Sequence, residues 1–170
     1  MSLDTTPGGS TADSYGSVSE ADLYFSIGYK KTAWNLLSTP DKEALLKEST
    51  RLLDQFFEWE GSIKSDSVQS LRWPRSYVYD IDGRLVSDSI IPNQVKWATF
   101  ELAYYVDESD GFDIEENVID SIKVGPITAK FSNTVKDPSF PRIVTDLLIP
   151  LGSTTFVSSN QVKQVKLVRV

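Results

Sequence analysis

The sequence contains neither cysteine nor histidine. Without cysteine there is no disulfide framework and no thiolate nucleophile. Without histidine the commonest general base and the commonest metal ligand are both gone. A serine nucleophile would then need a lysine partner, and no S-x-x-K motif stands in a suitable context. Ser62 and Ser65 only flank Lys64 in a polar loop. Neither G-x-x-x-x-G-K-[ST] nor G-x-G-x-x-G occurs, which leaves no phosphate-cradling loop. Glu58 and Glu60 bracket Trp59 at a helix end, where two carboxylates diverge into water instead of facing one bond. Asp80-Ile81-Asp82-Gly83 starts like a calcium loop, but its glycine comes too early and the closing glutamate is missing. No apolar run approaches the roughly 18–20 residues of a membrane span. Met1–Ser14 lacks the basic start and apolar middle of a secretory signal. The expectation is a soluble protein that is not an enzyme, takes no cofactor or metal and has no membrane partner.

At 170 residues the chain has room for one ordinary core. Composition divides it into a flexible N-terminal arm (1–15), a helical domain (16–152) and an extended C-terminal tail (153–170). Ser17 and Glu20 have capping-box spacing. They open a short helix with Ala21, Leu23, Tyr24 and Ile27 inward, ended by Gly28. Thr39 as cap and Pro40 at the first position start a longer helix to about Phe57. Its stripe is Leu45, Ser49, Leu52 and Phe56, widened by Leu46, Leu53 and Phe57. A polar loop follows over Gly61–Val68.

The centre of the chain is Gln69–Val106. Trp73 is extended because it precedes Pro74. Asp82-Gly83 reverses the chain between Tyr77–Tyr79 and Leu85–Val86. Pro92 suits a first helical turn, and Val95, Ala98, Leu102 and Tyr105 continue at helical spacing. Trp73, Trp97, Leu53 and Phe57 are expected in one buried core. Further on, Ile122–Phe131 predicts a small β-ribbon around Gly125-Pro126, and Pro141 starts a short helix with Val144, Leu147, Leu148 and Leu151 inward. The fold class is mainly α: a compact bundle of about four helices with a long loop, a small β-ribbon and flexible termini.

Charge is uneven. Seventeen basic against 24 acidic residues give −7. Residues 101–120 hold eight acids and no base, Glu101 among them. Asp107, Glu108, Asp110, Asp113, Glu115, Glu116 and Asp120 are read as an exposed acidic surface facing a channel or a partner. The tail has the opposite sign. Val162, Val165, Leu167, Val168 and Val170 alternate with Lys163, Lys166 and Arg169, a β-prone basic strip suited to adding a strand to a partner.

The order Q-x-L-x-W-P-R, D-x-D-G, I-P-x-x-V-x-x-A-x-x-E-L-A resembles the head–tail adaptor (connector) proteins of tailed bacteriophages. Some members of that group carry the label DnaT-like single-stranded DNA-binding protein. The matching residues include Leu71, Trp73, Pro74, Arg75, Asp82, Gly83 and Pro92. T-R-x-L-D-x-x-F-x-W-x-G, from Thr50 to Gly61, and K-V-G-P-I, from Lys123 to Ile127, extend the likeness to roughly residues 17–152. The resemblance implies a structural virion protein at the head–tail junction, made in the bacterial host cytoplasm. Copies would form a ring, a dodecamer by the family's usual symmetry, beneath the portal protein, with the tail inserting there. A downstream neck or tail protein would join below, and duplex DNA would pass through without specific binding.

Single-stranded DNA binding is the alternative. It needs a basic groove with stacking aromatics, and Arg72, Trp73, Arg75, Tyr77 and Tyr79 form the cluster that qualifies. The net charge of −7 and the core-like Trp-Pro pair weigh against it. A channel that must let DNA slide tolerates acids, so the charge balance favours the adaptor.

Overall fold

The computed structural model describes residues 3–64, 68–108, 121–124, 127–130 and 140–155. Ser17 opens the first helix: its hydroxyl accepts the Glu20 N–H at 3.3 Å, while Glu20 Oε2 accepts the Ser17 N–H at 2.8 Å. Two helix-end donors are thereby satisfied at once, and α1 runs Val18–Phe25. A short α2, Lys31–Leu36, leads into α3, Thr39–Phe56. The cap of α3 is Ser38 and not Thr39: its hydroxyl takes the Asp41 N–H at 3.4 Å. Pro40 still falls in the first turn, where no N–H is required. Later come α4, Asn93–Glu108, and α5, Arg142–Leu148.

Short strands join the helices. β1, Phe57–Trp59, pairs antiparallel with β6, Gly152–Thr154; β2, Ser62–Ile63, pairs with β3, Arg75–Ser76. The loop expected at 61–68 and the linker expected from Ser153 therefore each begin with a strand. A separate unit contains the expected ribbon, in which β4, Ser121–Val124, pairs with β5, Ile127–Lys130. The architecture is mainly α, with five helices among the described residues.

In the helical unit α4 packs against both α3 and α5. One aromatic nest gathers Phe25, Trp34, Leu46, Phe100 and Tyr104. A second forms where α3 runs out into β1. There Phe57 lies 5.1 Å from Trp59, and Trp59 meets Trp73 edge-on at 5.7 Å. Leu53, Phe57 and Trp73 are buried as expected, but Trp97 is 39% exposed. Position 97 falls at the border of the apolar face of α4, and its indole stacks on Tyr24 at 6.2 Å. Leu23 and Ile27, expected inward, are also exposed. Leu23 is two residues from buried Ala21, about 200° around the helix, and Ile27 lies beyond the helix end.

Glu101 departs from the acidic run to which the sequence assigned it. It is buried and accepts from the Tyr24 hydroxyl at 2.8 Å and from the Lys30 ammonium. Burial of Tyr24, then that carboxylate, raises the phenol above its ordinary range.

The first fifteen residues are not a free arm from Leu3 onward. Asp4 and Asp13 exchange bonds, with the Asp13 N–H on Asp4 O at 2.9 Å and the Asp4 N–H on Asp13 Oδ1 at 2.9 Å. The Ser70 N–H reaches Gly9 O at 3.1 Å, and its hydroxyl reaches Ala12 O at 2.6 Å. Polar composition concealed one anchor. Tyr15 is buried, its N–H bonds Thr50 Oγ1 at 3.2 Å and its hydroxyl donates to Asp54.

Asp54 also accepts the Arg72 N–H at 3.1 Å, so one carboxylate ties the N-terminal segment, α3 and the following loop together. Burial pushes its pKa up to about 6 from an ordinary 3.8. The folded protein thus holds the proton more tightly than the unfolded chain. Its stabilising contribution is full below pH 3.8 and is lost as pH rises through about 6. The expected swing is on the order of 3 kcal/mol. Denaturation midpoints of the wild type and Asp54→Asn should therefore diverge between pH 4 and 6, with the variant flatter. Parallel curves would refute the assignment.

Candidate nucleic-acid interface

Ser76–Val86 carries two exposed aromatic rings, Tyr77 and Tyr79, close together in the chain. Tyr77 takes φ +62°, a left-handed conformation costly for a bulky residue. It turns the chain between buried Arg75 and buried Val78 and leaves the Tyr77 ring 75% exposed. From there the chain forms a hairpin. The Val86 N–H donates to Val78 O at 2.9 Å and the Asp80 N–H to Arg84 O at 2.9 Å, and Tyr79 bridges Leu85. Successive side chains of a strand alternate in direction. Val78 goes inward, while Tyr79 (56% exposed), Ile81 and Leu85 stand in solvent.

The turn is the Asp-Gly reversal that the sequence predicts. Asp80 Oδ1 accepts the N–H groups of Asp82 at 3.0 Å and Arg84 at 2.8 Å. Gly83 adopts φ +74°, with no atom in the way of a side chain, so it is backbone conformation that selects glycine. The Arg84 guanidinium closes on Asp80 at 2.9 Å and on Asp82 at 2.6 Å. The Arg84 backbone N–H, ahead of its guanidinium, holds the Asp80 carboxyl below the usual range.

The stacking cluster expected from sequence divides in two. Arg72, Tyr77 and Tyr79 are exposed; Trp73 and Arg75 are buried. Arg75 donates to the carbonyls of Glu60 at 2.6 Å, Gly61 at 2.8 Å, Trp59 at 3.3 Å and Arg72 at 3.3 Å, so its charge serves the fold. Of the remaining motif residues, Pro74 and Pro92 are buried, Leu71 is partly covered and Asp82 and Gly83 are exposed. Trp97 was missed as a surface group. Its only sequence signal is its place between the polar neighbours Lys96 and Gln94 and the buried Ala98.

Most cations of the unit are already matched. Lys30, Lys42, Lys47, Arg51, Lys64, Arg84, Lys96 and Arg142 each pair with a carboxylate. Among the described residues of the helical unit, Lys31 and Arg72 are the exposed cations without an ion pair. Asp107 and Glu108 are exposed at the end of α4, where Glu108 accepts the Tyr104 hydroxyl at 2.7 Å. Asp110, Asp113, Glu115, Glu116, Asp120 and the tail Val162–Val170 lie outside the described residues. Among the described residues no group of three or more acids is placed to hold a metal, and no helix is long and apolar enough to cross a membrane.

A family model for single-stranded DNA binding matches residues 1–170. No curated protein and no solved structure matches. The family match corrects the head–tail adaptor expectation, with its virion setting, ring and portal contact, in favour of the alternative. The physical error was to weigh net charge, a property of the whole surface, above the local exposure of Tyr77 and Tyr79. The chain belongs to the family described as "Putative DnaT-like ssDNA binding protein".

Proposed function

We propose that this chain is a binding protein for single-stranded DNA that holds unpaired bases on the exposed tyrosines of the 77–86 hairpin. The observation that carries this reading is the pair Tyr77 and Tyr79, at 75% and 56% exposure on an arm whose other face is anchored by buried Val78. Every base offers a π-face, so such a platform binds without reading sequence. Burying the same rings would offset the solvent exposure that the free protein tolerates.

With few unmatched cations on the described surface, stacking carries more of the affinity than phosphate neutralisation does. Arg72 supplies one phosphate contact beside the loop, and Lys163, Lys166 and Arg169 of the tail sequence supply further positive charge. Binding to a labelled oligothymidylate, followed by fluorescence anisotropy, tests the reading. Tyr77→Ala and Tyr79→Ala should each weaken binding about tenfold with unchanged melting, since one base stack is worth about 1–3 kcal/mol. Deleting 160–170 should reduce the salt slope by about 0.7 for each phosphate that the tail neutralises in the full chain. No binding by the wild type, or full binding by the double tyrosine variant, would overturn the proposal.

A further inference from the structure

The hairpin forms one wall of a cleft of about 400 Å³ that the tyrosines themselves do not line. That volume is in the lower part of the range of about 300–1,000 Å³ typical of small-molecule sites. Ile81 and Ile90 supply apolar walls, Trp97 an aromatic one, and Asn93, Gln94 and Asp80 the polar groups. From this lining we infer that the cleft is a nucleobase pocket, which accepts one unstacked base of the strand held on the hairpin; the inference rests on the single-strand-binding reading above.

Three observations select a base over other ligands. Trp97 is held in place by its stack on Tyr24, with planes 28° apart, and still presents 39% of its surface. A fixed, half-open indole beside aliphatic walls suits a flat aromatic ring. Asn93 and Gln94 begin α4, are exposed, and their side-chain amides have no hydrogen-bond partner among the described residues. A side-chain amide carries a donor and an acceptor together and matches the edge of a base, as in its bidentate pairing with adenine.

The third observation is electrostatic. The cleft's acid and base, Asp80 and Arg84, are bonded to each other at 2.9 Å, and Arg84 also holds Asp82. Among the described residues no unmatched positive charge lines the cleft, so a phosphate gains little there. A neutral ring with polar edges has no such disadvantage. Tyr79 and Ile81 are both exposed and lie two residues apart, with Ile81 in the hairpin turn, so no more than about 7 Å of chain separates them. A strand stacked on Tyr79 is thereby led to the mouth of the cleft.

The test is an amide-detected NMR titration of the full chain, read at the Trp97 indole N–H and the Asn93 and Gln94 side-chain amides. One probe is an oligothymidylate of about 12 nucleotides; the other is a base-free sugar-phosphate oligomer of the same length. The expected result is that the first probe moves these signals and the second does not. In parallel, the double variant Asn93→Ala, Gln94→Ala should bind the oligothymidylate about tenfold more weakly. Equal shifts with both probes would mean a phosphate site and would overturn the inference. If the oligothymidylate moves the Tyr77 and Tyr79 signals but leaves the cleft signals unmoved, the pocket is wrong and the hairpin reading survives. Absence of any binding overturns both.

Discussion

Replacing Trp73 by alanine is expected to destabilise the helical unit by about 3–5 kcal/mol in equilibrium denaturation. The side chain is fully buried and meets Trp59 edge-on in the nest beneath the α3–β1 junction. Truncation removes an indole packed on Trp59, a residue of β1 whose backbone is held by its pairing with β6, so collapse can fill the void only in part. Trp73→Phe is the informative control. The indole N–H is buried and has no hydrogen-bond acceptor among the described residues. Phenylalanine removes that orphan donor along with part of the ring, so it should recover most of the stability. A Trp73→Ala protein that melts like the wild type would show that Trp73 is not a core residue; if it also failed to bind oligonucleotide, the indole would be a stacking platform.

Arg75→Leu is expected to destabilise the fold substantially as well, on the order of 3 kcal/mol, for a different reason. The guanidinium is 8% exposed and is surrounded by four backbone carbonyls. Burial, and then the nearby charge of Arg72, lowers its pKa, so the site holds the cation against its own desolvation. What the cation provides is geometric: one planar fork fixes the turn from Trp59 to Gly61 against the Arg72 loop. Gly61 sits there at φ +70°, so close to Ser76 that an added Cβ would lie 2.3 Å from its carbonyl oxygen. Without Arg75 those carbonyls lose their shared donor, and the 59–61 turn loses its tie to the Arg72 loop. Arg75→Lys should recover only a minor part, because an ammonium cannot reproduce the fork. Urea midpoints for both variants decide the matter; a wild-type midpoint for Arg75→Leu would mean that the carbonyls find other donors.

How far the sequence revealed these features depended on the range of the interaction. Ser17 and Glu20 act within one helical turn, and Asp82-Gly83 within one hairpin, so local spacing was enough to find them. Leu53, Phe57 and Trp73 were legible as core from residue type and periodicity. The order of residues 3–15 was not legible, because it depends on Tyr15 meeting Thr50 and Asp54, far along the chain. Glu101 misled for the same reason: its partners Tyr24 and Lys30 are distant in sequence. At the candidate interface, residue type suggested five stacking or basic groups, and alternation along the strand could have separated exposed Tyr77 and Tyr79 from buried Val78. The burial of Arg75 could not be read that way, since its acceptors are main-chain carbonyls that every sequence possesses.

The pairing of β1 with β6 also bears on the order of events during synthesis. The Thr155 hydroxyl bonds Phe56 O across 99 residues of chain. At a translation rate of about 5–20 residues per second, β1 leaves the ribosome roughly 5–20 s before its partner strand. Until then its hydrogen-bonding edge beside Phe57 is open in a nascent chain whose α1–α3 segment is already available to compact. Such an edge is a template for pairing with another chain. The yield of soluble protein should therefore depend on ribosome spacing and on the supply of nascent-chain chaperones.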